Sequence, residues 1–462
     1  MIVLSKTKTD SDFLLEKVKK IHMIGIGGAG MFPIAEILHS RGYILTGSDN
    51  NESDILARVR ALGIKVTLGH FAENVEGAEL VIYSAAIMKD NAELVSANEK
   101  GIPIMERALA LGAITRKYNN VIGVCGTHGK TTVTSMITQI LVQANLDPTA
   151  VIGGRLPLID GYGRAGNSEL MVCEACEFVD TFLQLSPDIA VLLNIDNDHL
   201  DYFKTVENLI LSFTKFSNMA STIIVNGDDE KAMQAVDGLD KKMITFGYHQ
   251  NNDYVIENVI AAEKTAGEFD LVLKGEIVAH IVLSVPGKHN IMNAAAAAVA
   301  GFEAGAERTG LEKSLFEFKG AGRRFEVLGV VDGITIVDDY AHHPTELEVT
   351  LTAAMGMGYN KVYAIFQPFT FSRTSTLLDD FARVLEMPDQ TVLSEIMGSR
   401  EINTYGITTN DLCEKIDGAV WFDSFEKIAD YIVDNAKAGD LVITLGCGDI
   451  YKAAKMFLKK LE

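Results

Sequence analysis

Short apolar runs alternate with longer amphipathic stretches along the whole of this chain. In the first block the apolar runs are IHMIGI, YILTGSD and LVIYSAA, and the positions between the first two predict a helix through Met31–Ser40. Apolar runs of strand length that alternate with helical stretches are typical of parallel sheets covered by helices. The pattern therefore predicts an α/β fold.

The same alternation continues through two further blocks. The second block opens with VIGVCGTHGKTT, and LMVCEA and IAVLLNI read as buried strands. From about residue 253 to 285 the chain alternates in polarity and turns at Lys274-Gly275, which predicts an antiparallel patch beside a mostly parallel sheet. The third block contains the strands ITIVDDY, KVYAIF and LVITLGC and ends in a helix through Lys460.

Length and block boundaries together predict three domains. The chain has 462 residues, and one domain takes roughly 150 of them. A short polar stretch near residues 115–120 separates the first two blocks, and GAGRRFE precedes the third. We therefore expect domains at residues 1–118, 119–322 and 323–462.

Charge and composition exclude several classes of protein. With 41 basic and 62 acidic side chains the formal charge is −21, which repels nucleic-acid backbones and anionic lipid surfaces. No apolar run approaches the roughly 18 residues of a membrane helix, and the N-terminus lacks the layout of a signal peptide. Five cysteines, with one CxxC at Cys173 and Cys176, form no zinc-finger or disulfide framework. We expect a cytoplasmic protein with no nucleic-acid partner and no membrane insertion.

The first glycine loop, GIGGAG, follows the first predicted strand and precedes a helix. Gly25, Gly27 and Gly30 fit G-x-G-x-x-G, and Asp49 lies 19 residues after Gly30 at the end of the next strand. Such glycines let backbone N–H groups approach a pyrophosphate, while the acidic residue can hold a ribose hydroxyl. The loop alone is compatible with a nicotinamide dinucleotide, with another nucleotide diphosphate, or with tight strand–helix packing and no ligand.

The second glycine loop, GTHGKTT at Gly126–Thr132, has the character of a P-loop. Its glycines free backbone N–H groups to surround phosphate oxygens, Lys130 can span the β and γ phosphates, and Thr131 can bind Mg²⁺. It is a variant, because a strict P-loop has glycine where Val124 stands. A triphosphate loop beside a separate pyrophosphate loop is unusual for a dehydrogenase. The pair fits an ATP-driven enzyme that acts on a nucleotide-linked substrate.

Two polar clusters follow buried strands of the second block. Glu174 and Glu177 come directly after LMVC, and Asp196, Asp198 and His199 follow IAVLLNI. Parallel strands present their carboxyl ends at one edge, so both clusters are expected beside the second glycine loop. Solvated loops or helix caps are the alternative for each residue, but two clusters beside one phosphate loop favour Mg²⁺ binding.

Two further motifs place polar residues at helix starts. His289 and Asn290 precede an alanine-rich helix, where a cap is expected and where asparagine could also pair with an adenine edge. DDYAHHPTE holds Asp339, His342 and His343 between a strand and a helix that a proline can open. Consecutive histidines are rarely both buried, so we expect a ligand role for at least one of them.

Eight motifs, in order along nearly the whole chain, resemble the Mur ligase family and most of all its alanine-adding member: HMIGIGGAGM, GTHGKTT, EACE, NIDNDHLD, PGKHNIMNA, GRRFE, DDYAHHPTE and QPFTFSRT. The resemblance implies an N-terminal Rossmann-like domain for a UDP-sugar, a central P-loop ATPase-like domain, and a C-terminal Rossmann-like α/β domain that closes over ATP and amino acid. It implies ATP-dependent ligation of L-alanine to the lactyl carboxylate of UDP-N-acetylmuramate through an acyl phosphate, for peptidoglycan precursors. The implied cofactors are ATP and Mg²⁺, and the implied assembly is a monomer or weak homodimer.

The resemblance also implies roles for single residues. The implied UDP-sugar contacts are Gly25, Gly27, Gly28, Gly30, Asp49, His70 and Ser84. The implied ATP contacts are Gly126, Thr127, His128, Gly129, Lys130, Thr131, Thr132, His289, Asn290, Arg324 and Asp339. Magnesium would be held by Thr131, Glu174 and His199. Arg373 would bind the alanine carboxylate and His343 would lie near the incoming amine, so that the catalytic set is Lys130, Glu174, His199 and His343.

Three positions depart from the family pattern, and several other functions stay open. Cys176 and Phe178 replace a carboxylate and a hydroxyl, and Thr370 stands where arginine is common, which leaves carboxylate recognition to Arg373. The closest alternative is a murein-recycling ligase that adds a peptide to the same UDP-sugar, although HHPTE and FSRT favour the alanine-adding enzyme. Folylpolyglutamate synthetase, a nicotinamide dehydrogenase and an ATP-binding regulatory module are the others.

Overall fold

The structure, a computed structural model, describes residues 9–260, 266–399 and 401–461. These residues form three sheets, with five, ten and six strands. The chain divides into two compact units, the first made of Met1–Ile260, Glu268–Leu283 and His289–Lys319, and the second of Ala261–Gly267, Ser284–Lys288 and Gly320–Glu462.

The first sheet contains β1 (Lys20–Ile24), β2 (Ile44–Asp49), β3 (Lys65–Leu68), β4 (Leu80–Tyr83) and β5 (Ile104–Glu106). Its helices are α1 (Asp10–Lys17), α2 (Phe32–Ser40), α3 (Asp54–Ala61), α4 (Ala92–Glu99) and α5 (Arg107–Thr115). The strand order is β3-β2-β1-β4-β5, and every pairing is parallel. The central strand β1 is buried almost throughout because helices cover both faces of a parallel sheet. All five carboxyl ends therefore meet at one edge.

The second sheet contains β6 (Asn120–Cys125), β7 (Thr149–Leu156), β8 (Gly161–Arg164), β9 (Leu170–Glu174), β10 (Ile189–Leu192), β11 (Thr222–Asn226), β12 (Lys242–Gly247), β13 (Tyr254–Ile260), β14 (Ala266–Leu273) and β15 (Glu276–Pro286). Its helices are α6 (Lys130–Gln143), α7 (Leu200–Phe203), α8 (Val206–Met219), α9 (Glu230–Val236), α10 (His289–Glu303) and α11 (Arg308–Glu317). The order is β15-β14-β13-β12-β11-β10-β6-β9-β7-β8.

The middle of the second sheet is parallel and its sides are not. β6 lies between β10 and β9, and all of these pairings are parallel. β13 and β14 pair antiparallel, as do β7 and β8. Lys274 and Gly275 join β14 to β15 with positive φ angles of 53° and 81°. The predicted antiparallel patch and its turn are therefore observed.

The third sheet contains β16 (Glu326–Val331), β17 (Ile334–Asp339), β18 (Val362–Phe366), β19 (Gln390–Ser394), β20 (Val420–Phe422) and β21 (Leu441–Leu445). Its helices are α12 (Pro344–Gly356), α13 (Phe371–Thr376), α14 (Leu378–Leu385), α15 (Thr409–Cys413), α16 (Phe425–Asn435) and α17 (Tyr451–Leu461). The order is β16-β17-β21-β18-β19-β20, with β16 antiparallel to β17 and the other pairings parallel.

The predicted fold class is confirmed in each block: three α/β layers, mostly parallel, with an antiparallel patch. The pattern of residues did not reveal α1, the β7–β8 pair or β16. Apolar side chains cover both faces of the third sheet, where Val337 and Ile336 point into two separate cores. Within the described ranges, no helix combines the length and the apolar character that crossing a bilayer requires.

Candidate active site

The Gly126–Thr132 loop connects the central strand β6 to α6. Gly126 and Gly129 have φ angles of 139° and 87°, which L side chains rarely adopt. A Cβ atom on Gly129 would also lie 2.6 Å from Oδ1 of Asn293 in α10. Glycine is therefore required at this position for both conformation and space. The positive end of the helix dipole makes the N-terminus of α6 suited to an anion.

Lys130, the first residue of α6, is held by the loop that precedes it. Its Nζ donates to the carbonyl oxygens of Gly126, at 2.6 Å, and Thr127, at 2.9 Å, and to Oε1 of Glu177 at 3.1 Å. The Glu177 side chain is 1% exposed. Burial alone would lower the pKa of Lys130, but the neighbouring acidic groups, with Glu177 foremost and Glu174 beside it, together outweigh burial and raise the pKa. Lys130 is therefore a fixed cation at the N-terminus of α6.

Thr131 and Glu174 bring two kinds of oxygen together beside this cation. Thr131 Oγ1 donates to Glu174 Oε2 over 2.9 Å, and the backbone N–H of Gly153 donates to the same oxygen over 2.8 Å. Mg²⁺ binds hydroxyl and carboxylate oxygens and takes its remaining ligands from water and phosphate. The residues predicted for magnesium at this position therefore fit the ion chemically.

His199 lies in the segment that follows β10, with a positive φ of 55°. Its Nε2 is 3.5 Å from Asp198 Oδ2 and 4.0 Å from Glu177 Oε1. The ring of Phe178 packs against the imidazole with 4.7 Å between ring centroids. The structure thus brings His199 to Glu177, the carboxylate that also holds Lys130. The aromatic ring at Phe178, where the family pattern has a hydroxyl, forms one wall of the histidine's surroundings.

The second glycine loop is also anchored to the segment after β10. The backbone N–H of His128 donates to Oδ1 of Asn194 at 2.8 Å, and the N–H of Asp196 donates to Oγ1 of Thr127 at 2.9 Å. His128 Nε2 lies 3.2 Å from Asp196 Oδ2, and this hydrogen bond is the main reason that the pKa of Asp196 is lowered. Thr132 lies half-buried in the first turn of α6. The predicted ATP loop and the NIDNDH motif therefore form one connected structure.

His289 and Asn290 open α10, the helix that packs against the loop glycine. Burial lowers the pKa of His289 to about 4, so its imidazole is neutral near pH 7. Asn290 Oδ1 accepts a hydrogen bond from Asn293 Nδ2 at 3.1 Å, and Asn293 is the residue that contacts Gly129. Both residues predicted to contact adenine thus lie one helical turn from a direct contact with the glycine loop.

The first glycine loop is fastened at the carboxyl edge of the first sheet. The N–H of Gly25 donates to the carbonyl oxygen of Ser48 over 2.8 Å, and the N–H of Gly27 donates to Asp49 Oδ2 over 3.0 Å. A Cβ atom on Gly25, whose φ is 76°, would lie 3.3 Å from Ser84 Cβ. Three neighbouring strands, β2, β1 and β4, therefore bring together Gly25, Gly27, Asp49 and Ser84 from the predicted UDP-sugar set.

The remaining members of that set lie in the same place. Gly28 N–H closes the loop by donating to the carbonyl oxygen of Gly25 over 3.1 Å. His70, which follows β3, has its Nδ1 3.3 Å from Ser48 Oγ. A Cβ atom on Gly30 would lie 3.1 Å from Nη1 of Arg107. Arg107 was not predicted, because it begins α5, far from the loop in sequence.

Asp339 ends β17 in the second unit and lies beside Arg324. Its carboxylate accepts from the backbone N–H groups of Phe325, at 2.7 Å, and Ala341, at 2.8 Å. Burial raises the pKa of Asp339 to about 6, while the charge of Arg324 opposes the rise. The guanidinium of Arg324 lies 5.2 Å from the ring centre of Tyr340. The two residues predicted for ATP in this unit are therefore neighbours.

His343 and Arg373 stand at the starts of helices at the carboxyl edge of the third sheet. His343 caps α12, with Nδ1 accepting from the N–H of Thr345 at 3.4 Å. Arg373 lies in the first turn of α13, which Thr370 caps through its hydroxyl. Arg373 is also close enough to Cys447, after β21, to oppose the burial that raises the pKa of this thiol to about 12. The departure at Thr370 thus supplies a helix cap.

Two residues that the sequence left without a role acquire one here. Glu177 was grouped with the metal-type acids, yet it is the buried counter-ion of Lys130. Asn194, the first residue of the NIDNDHLD motif, accepts the backbone N–H of His128 and so holds the loop. The sequence signals for these residues were their positions after buried strands and within the EACE and NIDNDHLD motifs, neither of which indicates the observed contacts.

Models of a known family match each part of the chain. The description "Mur ligase family, catalytic domain" matches residues 20–119, "Mur ligase middle domain" matches 124–301, and "Mur ligase, glutamate ligase domain" matches 323–448.

Individual relatives match nearly the whole chain. The UDP-N-acetylmuramate–L-alanine ligases of Caldanaerobacter subterraneus and Agathobacter rectalis are 42% and 43% identical, over 96% and 95% of this chain and 98% of each relative. The crystal structure of the UDP-N-acetylmuramate–alanine ligase of Thermotoga maritima superimposes with a TM-score of 0.82 at 28% identity. That comparison covers 96% of this chain and 98% of the other.

Proposed function

The chain belongs to the Mur ligase family, and on that premise we propose that it joins L-alanine to the lactyl carboxylate of UDP-N-acetylmuramate. ATP and Mg²⁺ are the cofactors, and ADP and phosphate are released. The product is a precursor of peptidoglycan. The relatives named above carry this activity in their names and match this chain almost from end to end.

The observation that carries the proposal is the arrangement around Lys130. A cation fixed by Gly126, Thr127 and Glu177 stands at a helix N-terminus, directly beside the oxygen pair of Thr131 and Glu174. Phosphoryl transfer needs positioning and charge neutralisation more than a protein nucleophile. Bound Mg²⁺ would neutralise phosphate charge next to Thr131 and Glu174. A separate glycine loop in the first sheet supplies a second phosphate site for the sugar nucleotide.

The chemistry proceeds in two steps. An oxygen of the lactyl carboxylate attacks the γ-phosphorus of ATP, which breaks the bond to the β-phosphate oxygen and yields an acyl phosphate and ADP. The uncharged amine of L-alanine then attacks the acyl carbon, the bond from that carbon to the phosphate oxygen breaks, and phosphate leaves with the former carboxylate oxygen. One amine hydrogen is lost as a proton, which gives the amide. Lys130 holds the phosphates during the first step. Arg373 is proposed to bind the alanine carboxylate, and His343 to lie near its amine.

The other proposed roles follow the places of the residues. Asp49, His70, Ser84 and the loop Gly25–Gly30 are proposed for the UDP-sugar. Asn290 and His289 are proposed for adenine, and Asp339 with Arg324 for the remainder of ATP. His199 is proposed for a second Mg²⁺. All five cysteines are free thiols, which suits the cytoplasm, the proposed location.

Isotope transfer tests the proposal. UDP-N-acetylmuramate labelled with heavy oxygen in its lactyl carboxylate should give one labelled oxygen in phosphate for each amide formed. Unlabelled phosphate with normal amide formation would contradict the acyl phosphate, and label in AMP would indicate adenylation instead.

Substrate competition separates the other candidate functions. Phosphate release should require UDP-N-acetylmuramate and a single amino acid, with L-alanine preferred. Release with a peptide in place of L-alanine would favour the recycling ligase. Saturable NADH binding that no UDP-sugar displaces would favour a dehydrogenase.

A further inference from the structure

A fully buried carboxylate lies behind the first glycine loop. Glu93, in α4, is 0% exposed, although its sequence neighbourhood, NAELVSANEK, is that of an ordinary surface helix. Its Oε2 receives Ser48 Oγ–H at 2.7 Å and lies 3.2 Å from His22 Nε2. Its Oε1 receives a hydrogen bond from Asn74 Nδ2 and lies 3.3 Å from His70 Nδ1. A buried acid with four polar partners is an unusual component of a helix–sheet interface.

Glu93 is ionised in this surrounding. Burial acts to raise its pKa, but hydrogen bonds from His22, Asn74 and Ser48 outweigh burial and lower it. An ionised carboxylate only accepts hydrogen bonds. Every group that faces it must therefore present a hydrogen atom, and this requirement fixes the protonation of its neighbours.

The need to present a hydrogen atom to Glu93 decides which ring nitrogen of His70 is protonated. Its Nδ1 lies 3.3 Å from Glu93 Oε1 and 3.3 Å from Ser48 Oγ. Because the hydroxyl hydrogen of Ser48 is directed to Glu93, both neighbours of His70 Nδ1 act as acceptors. Nδ1 must then carry a hydrogen atom, and Nε2 is the ring nitrogen left for a ligand. The His70 side chain is 14% exposed.

The same network reaches the glycine loop. Ser48, whose hydroxyl Glu93 holds, accepts the N–H groups of Gly25 and Ile26 at its carbonyl oxygen, at 2.8 and 3.1 Å. Asn74 also donates to the carbonyl oxygen of Gly69, the residue before His70. One carboxylate therefore supports the first turn of the loop and the imidazole next to it.

We propose that Glu93 is a positioning residue for the sugar nucleotide: it fixes His70 with hydrogen on Nδ1 and keeps Nε2 for UDP-N-acetylmuramate. This inference rests on the proposed function for the identity of the ligand. The protonation state of His70 does not depend on the proposed function, because it follows from the contacts of Glu93 alone.

The first test needs no substrate. With ¹⁵N-labelled histidine, and the His70 signals assigned by their loss in His70→Gln, two-bond ¹H–¹⁵N couplings report which ring nitrogen carries hydrogen. Hydrogen on Nδ1 is expected in the unmodified protein near pH 7.5. Hydrogen on Nε2 alone would overturn the proposal, whether or not the ligation assay supports the proposed function.

The second test is kinetic. Glu93→Gln keeps the shape but places an NH₂ group against donors, so the hydrogen on His70 Nδ1 should be lost and the KM for UDP-N-acetylmuramate should rise about 10-fold or more. KM for ATP should stay within about twofold, which also shows that the variant is folded. Glu99→Gln, on the exposed side of the same helix, is the matched control. Equal rises in both KM values, or an unchanged His70 signal in Glu93→Gln, would overturn the positioning role.

Discussion

The two glycine loops of this chain follow central parallel strands in the same way, but they obtain their positive charge differently. In the second loop the cation is part of the motif, because Lys130 Nζ bonds to the carbonyl oxygens of Gly126 and Thr127. Beside the first loop stands Arg107, which comes from a helix that begins more than 70 residues later and approaches Gly30. A cation inside a motif can be recognised in a sequence, whereas one supplied by packing cannot.

The acidic groups beside the two loops also differ in where they lie and in what they contact. At the second loop, Glu177 and Glu174 lie beside the cation and its threonine neighbour, as a triphosphate with its metal requires. At the first loop, Asp49 accepts the backbone N–H of Gly27, and the carboxylate of Glu93 is fully buried next to His70. Under the proposed function, the first loop would orient a ligand, and the second would neutralise charge that changes during the reaction.

The largest effect should follow removal of the motif cation. Lys130→Ala should lower kcat by about 10²-fold or more, because in the proposed mechanism the lysine neutralises charge that develops on the transferred phosphate. The measurement is phosphate release at saturating substrates. Lys215→Ala, an exposed lysine of α8, should leave kcat unchanged.

A double variant separates catalysis from stability at this site. Lys130→Ala alone leaves Glu177 buried without its counter-ion, which should lower the midpoint of thermal unfolding. Adding Glu177→Gln should restore the midpoint but not kcat. If the double variant regained normal turnover, Lys130 would have only a structural role.

A smaller effect, confined to one substrate, is expected at the first loop. We expect Arg107, which approaches Gly30, to donate a charge-assisted hydrogen bond to a phosphate of the sugar nucleotide. Arg107→Ala should then raise the KM for UDP-N-acetylmuramate by about 10- to 100-fold. KM for ATP should not change. Arg60→Ala, which removes an exposed arginine of α3 that pairs with Glu52, is the control. A common rise for both nucleotides would erase the distinction between the loops.

Arg373 tests whether a third anion can be bound with no glycine loop at all. Arg373→Ala should raise the KM for L-alanine by about 10-fold. This increase is small for the loss of a contact to a carboxylate, because the Arg373 side chain is partly exposed and solvent weakens the contact. Arg383→Ala, which breaks a surface pair with Glu348, is the control. An equal change in KM for ATP would indicate that Arg373 supports the fold of α13 instead.

The sequence predicted the parts of this molecule that depend on local spacing. Strand–loop–helix units and the turn at Lys274-Gly275 follow from patterns within a few residues, and the structure has them. Gly126 and Gly129 stand where the loop needs positive φ angles. The predicted neighbours Thr131 and Glu174 also meet, because parallel strands β6 and β9 end side by side.

The features that the sequence did not predict depend on contacts between distant segments. Arg107 and Glu93 belong to helices with ordinary surface patterns, and only the packing of α5 and α4 on the first sheet brings them to the loop. Glu177 was visible as an acid after a strand, but its pairing with Lys130 depends on the backbone path after Glu174. The segment that follows Glu177 is also irregular, since Val179 and Asp180 have positive φ angles of 54° and 56°, which no local motif indicates.

The helices that follow the two loops provide the last comparison. α6 begins with a cation that has its counter-ion, whereas α2 carries Glu36, whose Oε2 is buried with no hydrogen-bond partner among the described residues. Burial raises the pKa of Glu36 to about 7, although the charge of Arg58 opposes the rise. Arg58 in turn bonds to Asp160 across the boundary with the second sheet.

This difference predicts a stability that falls as pH rises. Between the ordinary glutamate pKa and the raised one, the folded chain binds more protons at Glu36 than the unfolded chain, so stability declines from about pH 4.5 to 7 and then levels off. Glu36→Gln stays neutral and should be more stable at pH 8 by about 1–2 kcal/mol, because the side chain is only partly buried. At pH 5 the variant and the parent should unfold together. Thermal unfolding of the parent and of Glu36→Gln at pH 5 and pH 8 tests this prediction, with Glu99→Gln as the exposed control. A gain of equal size at pH 5 and pH 8 would mean that the amide stabilises α2 by hydrogen bonding and that Glu36 is not the titrating group.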